Sequence, residues 1–138
     1  MNIFSGEPGL AGALTNPTEL SRKKGSIQQR YPVIFDNKTY PDAEAAYHAL
    51  STGNQQEDDV LCADIIAAKL LQHPQLLTAI TKRGGTVFLK QCTHYTNAKS
   101  EHAKAWEGAG MESRFIRVLV AGYEQALRGE IGRQPSLF

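Results

Sequence analysis

Apolar positions recur at helical spacing most clearly near the end of the chain, and the pattern predicts a helix there. Ser113 and Gly129 are expected to begin and end it, because each residue type is common at that position. The apolar stripe consists of Ile116, Leu119, Val120, Tyr123 and Leu127. Arg114, Arg117, Glu124 and Arg128 fall on the other side. We therefore expect the arginines to face solvent.

A second amphipathic pattern occupies residues 40–51, where Asp42 is a suitable N-cap. The stripe expected to face the core consists of Ala43, Ala46, Tyr47 and Leu50. At about 3.6 residues per turn, Glu44, His48 and Ser51 share a second face. Such a face is usually solvated. It would carry chemistry if Glu44 pointed into a cleft instead.

Residues 57–72 are apolar almost all round, which predicts a buried helix. Lys69 is the exception, because helical spacing places it beside Cys62, Ile65 and Ile66. Its long stem could carry the ammonium outward, which is the commoner outcome. Otherwise the amine stays partly desolvated, its pKa falls, and it becomes available as a nucleophile.

A short turn leads to a third helix, which begins at Pro74 and stops at Gly84 and Gly85. Residues 87–89 are too short an apolar run to distinguish a strand from a half-turn of helix. Residues 31–40 contain two β-rich runs around Asp-Asn, a pair that tolerates the positive φ of a hairpin turn.

The remaining segments are expected to be loops. They are the glycine-containing residues 2–17, the cationic residues 21–30, predicted as a solvated turn, and the polar residues 93–104. Together the patterns predict an α+β fold, a single compact domain that is mainly helical with a short β-hairpin or small sheet. We expect this domain to span residues 1–129, followed by a tail of residues 130–138.

Composition narrows the function classes. The chain has 138 residues, 41% of them hydrophobic and 21% charged, with a net charge of +1. A net charge this small provides no excess of basic residues for binding the phosphates of nucleic acid. No apolar run could span a bilayer, and residues 1–12 lack a signal-peptide pattern, so we expect a cytoplasmic protein.

The cysteines and histidines do not form a ligand pattern. Cys62 and Cys92 are isolated and are expected to be core thiols. The four histidines, His48, His73, His94 and His102, have no metal-ligand spacing. We therefore predict no metal site. The lone Trp106 precedes two glycines; it could form a pocket wall or plug the core, the commoner outcome.

Several motifs, taken in order, resemble the NADAR family, the small domains related to YbiA. That family has a loop similar to LSNF, a hairpin, a helix with E-x-x-Y/F-x-A, a later helix with A-K-x-x-Q-N/H-P-x-L, and a WG-type turn. Here the corresponding stretches are NIFSG, LTNP, the hairpin, TYPDAEAAYHA, IIAAKLLQHPQLLTAI, WEGAG and the final helix. The resemblance covers roughly Ile3 to Leu127.

The resemblance implies an N-glycosidase. Members of the family are associated with ADP-ribose chemistry, including removal of ADP-ribose from guanine in nucleic acid, and with cleavage of riboflavin-pathway intermediates. We therefore expect a YbiA-like hydrolase that cleaves a ribosyl C–N bond of an ADP-ribose-linked or related nucleotide, without a cofactor. By position, the family's functional residues correspond to Glu44, Tyr47, Lys69, Asn16, Trp106 and Gly108.

The chemistry suggests roles for these residues. A carboxylate stabilises the oxocarbenium-like transition state, and Glu44 is the candidate. His48 could protonate the leaving base, or Lys69 could trap the opened sugar as a Schiff base. Tyr47 and Trp106 would stack on the base. Asn16 and Gly108 complete the expected substrate-binding set.

The chain departs from the family pattern at three positions. Ser51 stands where the family helix usually has a lysine, His48 stands where it has a glutamine, and residues 103–105 lack the aspartate often found before the tryptophan. If the missing lysine is required for catalysis, the protein would be a non-catalytic module that binds ADP-ribose or a nucleotide.

A third hypothesis concerns the tail, which ends in Gln134, Leu137 and Phe138 at the spacing Q-x-x-L-F. This pattern resembles the pentapeptide with which many bacterial DNA-processing proteins dock on the replication sliding clamp, although Pro135 replaces the commonly seen leucine. It predicts an interaction protein without a small ligand.

Overall fold

The structure, a computed structural model, describes residues 1–129, and within them the fold is α+β and mainly helical, as predicted. The helices are α1 (Gly9–Ala13), α2 (Thr18–Lys23), α3 (Ala43–Leu50), α4 (Gln55–Gln72), α5 (Pro74–Lys82), α6 (Thr86–Lys90), α7 (Glu101–Lys104) and α8 (Arg114–Leu127). A 3₁₀ turn spans Gly110–Glu112. The strands are β1 (Val33–Phe35), β2 (Lys38–Tyr40), β3 (Thr93–His94) and β4 (Gly108–Ala109).

Helices α4 and α8 pack along each other through the centre of the fold. Gly122 makes this approach possible, because a Cβ there would lie 2.7 Å from Cγ2 of Ile66 and 2.9 Å from the carbonyl oxygen of Ala63. Distances this short are steric overlaps. The glycine in the middle of α8 is therefore required by packing, since its backbone is ordinary helix.

The predicted hairpin is confirmed. β1 and β2 pair antiparallel with Val33 opposite Tyr40, and Asp36 and Asn37 form the turn with φ of 50° and 65°. Its inner face joins α3 and α4 in a separate hydrophobic cluster: Val33, Phe35, Tyr40, Ala43, Ala46, Leu61, Ile65 and Ala68. The hairpin thereby holds α3 against the side of α4.

The second strand pair was not predicted. β3 and β4 pair antiparallel, and the backbone N–H of Ile3 donates to the Thr93 carbonyl at 2.8 Å. These contacts join the beginning of the chain to the segment before α8. Strands of two residues are too short to leave an alternating pattern in the sequence.

The predicted helix caps are confirmed. The Asp42 carboxylate accepts from the Ala45 N–H at 2.9 Å, and the Ser113 hydroxyl accepts from the Ile116 N–H at 3.1 Å. Gly129, with φ of 73°, follows the end of α8. Cys62 and Cys92 are free, buried thiols, as expected.

Three loop predictions were wrong in part. Residues 2–17 contain α1, residues 21–30 begin within α2, and residues 93–104 contain β3 and α7. Residues 87–89, which the sequence left open, belong to α6. Elements of four to six residues gain their stability from packing rather than from helix propensity, so their sequences carry little periodic signal.

The predicted buried stripe of α8 was wrong at one position. Leu127 is 55% exposed, and Ala126 takes the buried place in the last turn. None of the helices in residues 1–129 is long and apolar enough to cross a bilayer. The tail with Gln134, Leu137 and Phe138 lies outside the described residues.

Candidate functional site

A cavity of about 500 Å³ opens between the N-terminal segment, α2, α3 and the residues that precede α8. Aromatic and imidazole rings form much of its wall: Phe4, Tyr47, His48, His94, His102, Trp106 and Phe115. Polar side chains complete it: Ser5, Thr15, Asn16, Lys24, Glu44, Thr96 and Asn97. A concave, largely apolar site with a few polar groups is typical of a small-molecule pocket.

The structure brings most of the predicted site residues to this cavity. Glu44, His48, Tyr47, Asn16 and Trp106 all line it. Lys69 and Gly108 do not. Glu44 and His48, on the polar face of α3, therefore form part of the cavity wall. His48 is nevertheless exposed.

Glu44 sits in the first turn of α3, and 39% of its side chain is exposed. Its backbone N–H donates to the carbonyl of Asn16 at 3.2 Å, and its carboxylate lies 3.6 Å from Nε2 of His48. Burial raises the pKa of Glu44, an effect that the nearby His48 opposes. A carboxylate with a raised pKa is a better proton acceptor.

Asn16 lies next to Glu44 and is buried. Its Nδ2 donates to Sγ of Cys62 at 3.4 Å, and its Oδ1 is buried without a hydrogen-bond partner among residues 1–129. A buried amide oxygen without a partner is costly. Asn16 lines the cavity, so a rotation of its side chain would bring this oxygen within reach of a hydroxyl or N–H of a ligand.

Of the two outcomes that the sequence left open for Lys69, the commoner one, an outward ammonium, is wrong, and the structure has the desolvated amine. The residue is 2% exposed, and its Nζ donates to the carbonyls of Ala13 and Thr15 at 2.6 and 2.7 Å. Burial lowers the pKa of Lys69 to about 7. Lys69 therefore holds in place the loop on which Thr15 and Asn16 lie. Lys69 itself does not line the cavity.

Trp106 forms a cavity wall, the less common of its two predicted roles, and is only partly buried against the core. Its ring meets Tyr47 edge to face, with centroids 5.7 Å apart. The guanidinium carbon of Arg114 lies 3.7 Å from the Trp106 ring centroid, and Arg114 Nε donates to Oδ1 of Asp59 at 2.6 Å. These contacts fix the orientation of the indole.

The prediction that Arg114 faces solvent was wrong, since only 12% of its side chain is exposed. The aromatic face and the carboxylate together compensate for its burial. One feature of the sequence indicated that Arg114 needs a partner. Arg114 directly follows the N-cap Ser113, and a cation at the positive end of a helix dipole is unfavourable without another partner.

Gly108 has a structural role. It pairs with His94 between β4 and β3 at a φ of 151°, and a Cβ there would lie 3.0 Å from the Ser113 backbone. A side chain would push β4 away from the start of α8. The residue shapes the segment that follows Trp106 without reaching the cavity.

The sequence did not identify His94 as part of the site. Burial lowers its pKa, and Nδ1 lies 2.7 Å from the carbonyl oxygen of Ile3. A carbonyl only accepts, so Nδ1 carries the proton and the neutral ring keeps Nε2 as an acceptor. The ring also contacts Phe115, with centroids 4.7 Å apart. His94 thus adds a hydrogen-bond acceptor to an aromatic wall.

The loop opposite α3 is also held by defined contacts. The Glu107 carboxylate accepts from the backbone N–H of Thr96 at 2.6 Å and from its hydroxyl at 2.7 Å. These bonds lower the pKa of Glu107. They fix residues 96–98, which line the cavity, in a segment that the sequence predicted only as a polar loop.

The described part of the chain contains no group of three or more His, Cys, Asp or Glu side chains that could hold a metal ion. Comparisons of the chain with protein-family models, with curated proteins and with solved structures found no match.

Proposed function

We propose that the protein is a hydrolase of the NADAR type, with a YbiA-like fold, that cleaves a ribosyl C–N bond in an ADP-ribose-linked or related nucleotide. ADP-ribose attached to guanine is the example we would test first. The observation that carries the proposal is the position of Glu44, a half-buried carboxylate with a raised pKa on the wall of a ring-lined cavity of about 500 Å³. This volume lies within the usual range for small-molecule sites.

The cavity supplies the groups that such a cleavage needs. As the C–N bond breaks, its electron pair leaves with the base, and positive charge develops on the ribose. The Glu44 carboxylate stabilises this charge and then accepts a proton from the attacking water. His48, whose Nε2 lies 3.6 Å from Glu44, can deliver the proton that the departing base requires.

The remaining groups bind and orient the substrate. The rings of Trp106 and Tyr47, which lie edge to face, can stack on the base or contact it with an edge. After a rotation of its side chain, Asn16 Oδ1, which has no partner within residues 1–129, can accept from a ribose hydroxyl next to Glu44. Lys69 is a positioning residue, because its two bonds hold the loop that carries Asn16. A Schiff base at Lys69 would require the loop to move away.

The test compares wild type with Glu44→Gln on ADP-ribosylated guanosine, NAD and ADP-ribose, with release of a base or sugar followed by chromatography. We expect wild type to release a base from at least one substrate. Glu44→Gln should lose turnover and keep ligand affinity within a few-fold. Glu112→Gln is the matched control, since Glu112 is exposed and does not line the cavity.

Two results would contradict this proposal. Turnover by Glu44→Gln at the wild-type rate would show that the reaction does not use the Glu44 carboxylate. Binding of a nucleotide by wild type without any release of base or sugar would favour the alternative, a non-catalytic ADP-ribose or nucleotide-binding module. Ser51, which replaces the usual family lysine, is exposed and does not line the cavity.

A further inference from the structure

The backbone that carries His94 is held on two sides. His94 pairs with Gly108 between β3 and β4, and the carbonyl of the preceding Thr93 accepts from the N–H of Ile3 at 2.8 Å. The N–H of Thr93 in turn donates to the carbonyl of Met1 at 2.9 Å. The strand under the histidine is thus fixed between the beginning of the chain and the segment before α8.

The imidazole ring of His94 is fixed as well. Its Nδ1 donates to the carbonyl oxygen of Ile3 at 2.7 Å, and its ring lies against Phe115 at an angle of 40°. Burial outweighs the nearby carboxylate of Glu107 and lowers the pKa of His94, so the ring is neutral at neutral pH. With the proton on Nδ1, the other ring nitrogen, Nε2, is an acceptor.

This acceptor is open to a ligand. Within residues 1–129 the Nε2 of His94 has no hydrogen-bond partner, and it is not among the buried polar atoms that lack one. It therefore reaches open space, and the open space that His94 lines is the cavity. An acceptor that is held in one place and receives no donor from the protein suits an N–H or O–H of a bound molecule.

The ring wall around His94 is the part of the cavity against which we expect the base to stack. Phe115 contacts the His94 ring, and its N–H donates to the carbonyl of Trp106 at 3.2 Å. All three residues line the cavity. The groups proposed for the sugar, Glu44 and Asn16, belong instead to α3 and to the loop before α2.

We infer that Nε2 of His94 accepts a hydrogen bond from the base of the substrate, so that the cavity selects bases that carry an amino or amide N–H over bases that lack one. This inference rests on the proposed function, which seats the base against the ring wall. A ribose hydroxyl is also a donor. The two sources are separated by changing the base while the sugar stays the same.

The test measures binding of adenosine, guanosine and purine riboside by calorimetry. The three share one sugar, and purine riboside has no N–H on its base. Wild type should bind adenosine or guanosine about five to ten times more tightly than purine riboside, the effect of one neutral hydrogen bond. His94→Phe keeps a ring beside Phe115 without an acceptor and should reduce this preference to within about twofold. His94→Gln should restore part of it, because the amide oxygen accepts.

His73→Phe is the matched control. His73 does not line the cavity, and its Nε2 already lies 2.7 Å from the carbonyl oxygen of Pro32, so this variant should keep the preference. NMR of the ring nitrogens of wild type gives a second measurement that needs no variant. The Nε2 resonance of His94 should shift more at saturation with the preferred nucleoside than with purine riboside.

The inference is overturned if wild type binds none of the three nucleosides, if it shows no preference among them, or if His94→Phe retains the preference. Equal weakening of all three by His94→Phe would assign the hydrogen bond to the ribose and would overturn it too. These results are independent of turnover. A preference that depends on His94, in a protein that releases no base, would preserve the base site and reject the hydrolase. Turnover without the preference would do the reverse.

Discussion

Replacing Lys69 with methionine should abolish a rise in stability that wild type shows as the pH increases above neutral. Burial lowers the pKa of Lys69 from 10.5 to about 7 in the folded protein. Between these two values the unfolded chain binds a proton that the folded chain has released. The free energy of unfolding therefore increases with pH across this range.

The size of the effect follows from the two pKa values. The slope approaches about 1.4 kcal/mol per pH unit once Lys69 is neutral in the fold, which amounts to about 2 kcal/mol between pH 6.5 and 8.5. Both hydrogen bonds survive, since a neutral amine retains two N–H groups for the carbonyls of Ala13 and Thr15. Lys69→Met lacks both bonds, and it should be less stable by about 1–3 kcal/mol for each carbonyl left unpaired.

Urea denaturation followed by circular dichroism at several pH values would measure both effects. The range should stop near pH 8.5, because burial raises the pKa of Cys62 from 9.0 to about 12, and that shift lowers stability above the ordinary pKa of the thiol. Lys23→Met is the control and should follow wild type. A wild-type pH dependence equal to that of Lys69→Met would refute a desolvated lysine at this position.

Two further substitutions test the packing and the site wall. Gly122→Ala should lower the free energy of unfolding by about 1–3 kcal/mol in urea denaturation, because the new Cβ would overlap an isoleucine of α4. This loss is expected even though alanine favours helix. Leu127→Ala, at an exposed position of the same helix, should change it by less than about 0.5 kcal/mol; equal effects would contradict the close approach. Arg114→Met should alter the fluorescence of Trp106 and lower the free energy of unfolding by about 1–3 kcal/mol, whereas Arg117→Met should do neither. An unchanged emission spectrum in Arg114→Met would contradict the stacked guanidinium.

The features that the sequence predicted correctly depend on residues close together in the chain. The Asp42 cap bonds to a residue three positions on, and the hairpin turn consists of two adjacent residues, Asp36 and Asn37. Such interactions leave a signature within a few positions. The presence of α3, α4, α5 and α8 could be predicted for the same reason.

The errors at Lys69 and Arg114 concern charged residues whose partners are distant in the chain. Lys69 bonds to carbonyls 56 and 54 residues away, and Arg114 bonds to a carboxylate 55 residues away. Helical spacing indicates the neighbours of a side chain on its own helix but not what packs against that helix. Exposure to water, the average behaviour of a cation, was therefore the prediction for Arg114 and the commoner of two outcomes for Lys69. In both cases specific partners keep the side chain buried.

Glu44 could not be assigned to a cavity from its helix alone for the same reason. The wall that faces it is made by the segment from Thr15 to α2, and this segment is tied down at several points. Asp42 caps α3 with one oxygen and accepts from the N–H of Glu19, in the first turn of α2, with the other at 3.0 Å. Lys69 holds the preceding loop from the side of α4. Because α2 and the loop before it are anchored to α3 and α4, residues of the segment from Thr15 to Lys24 line the same cavity as Glu44.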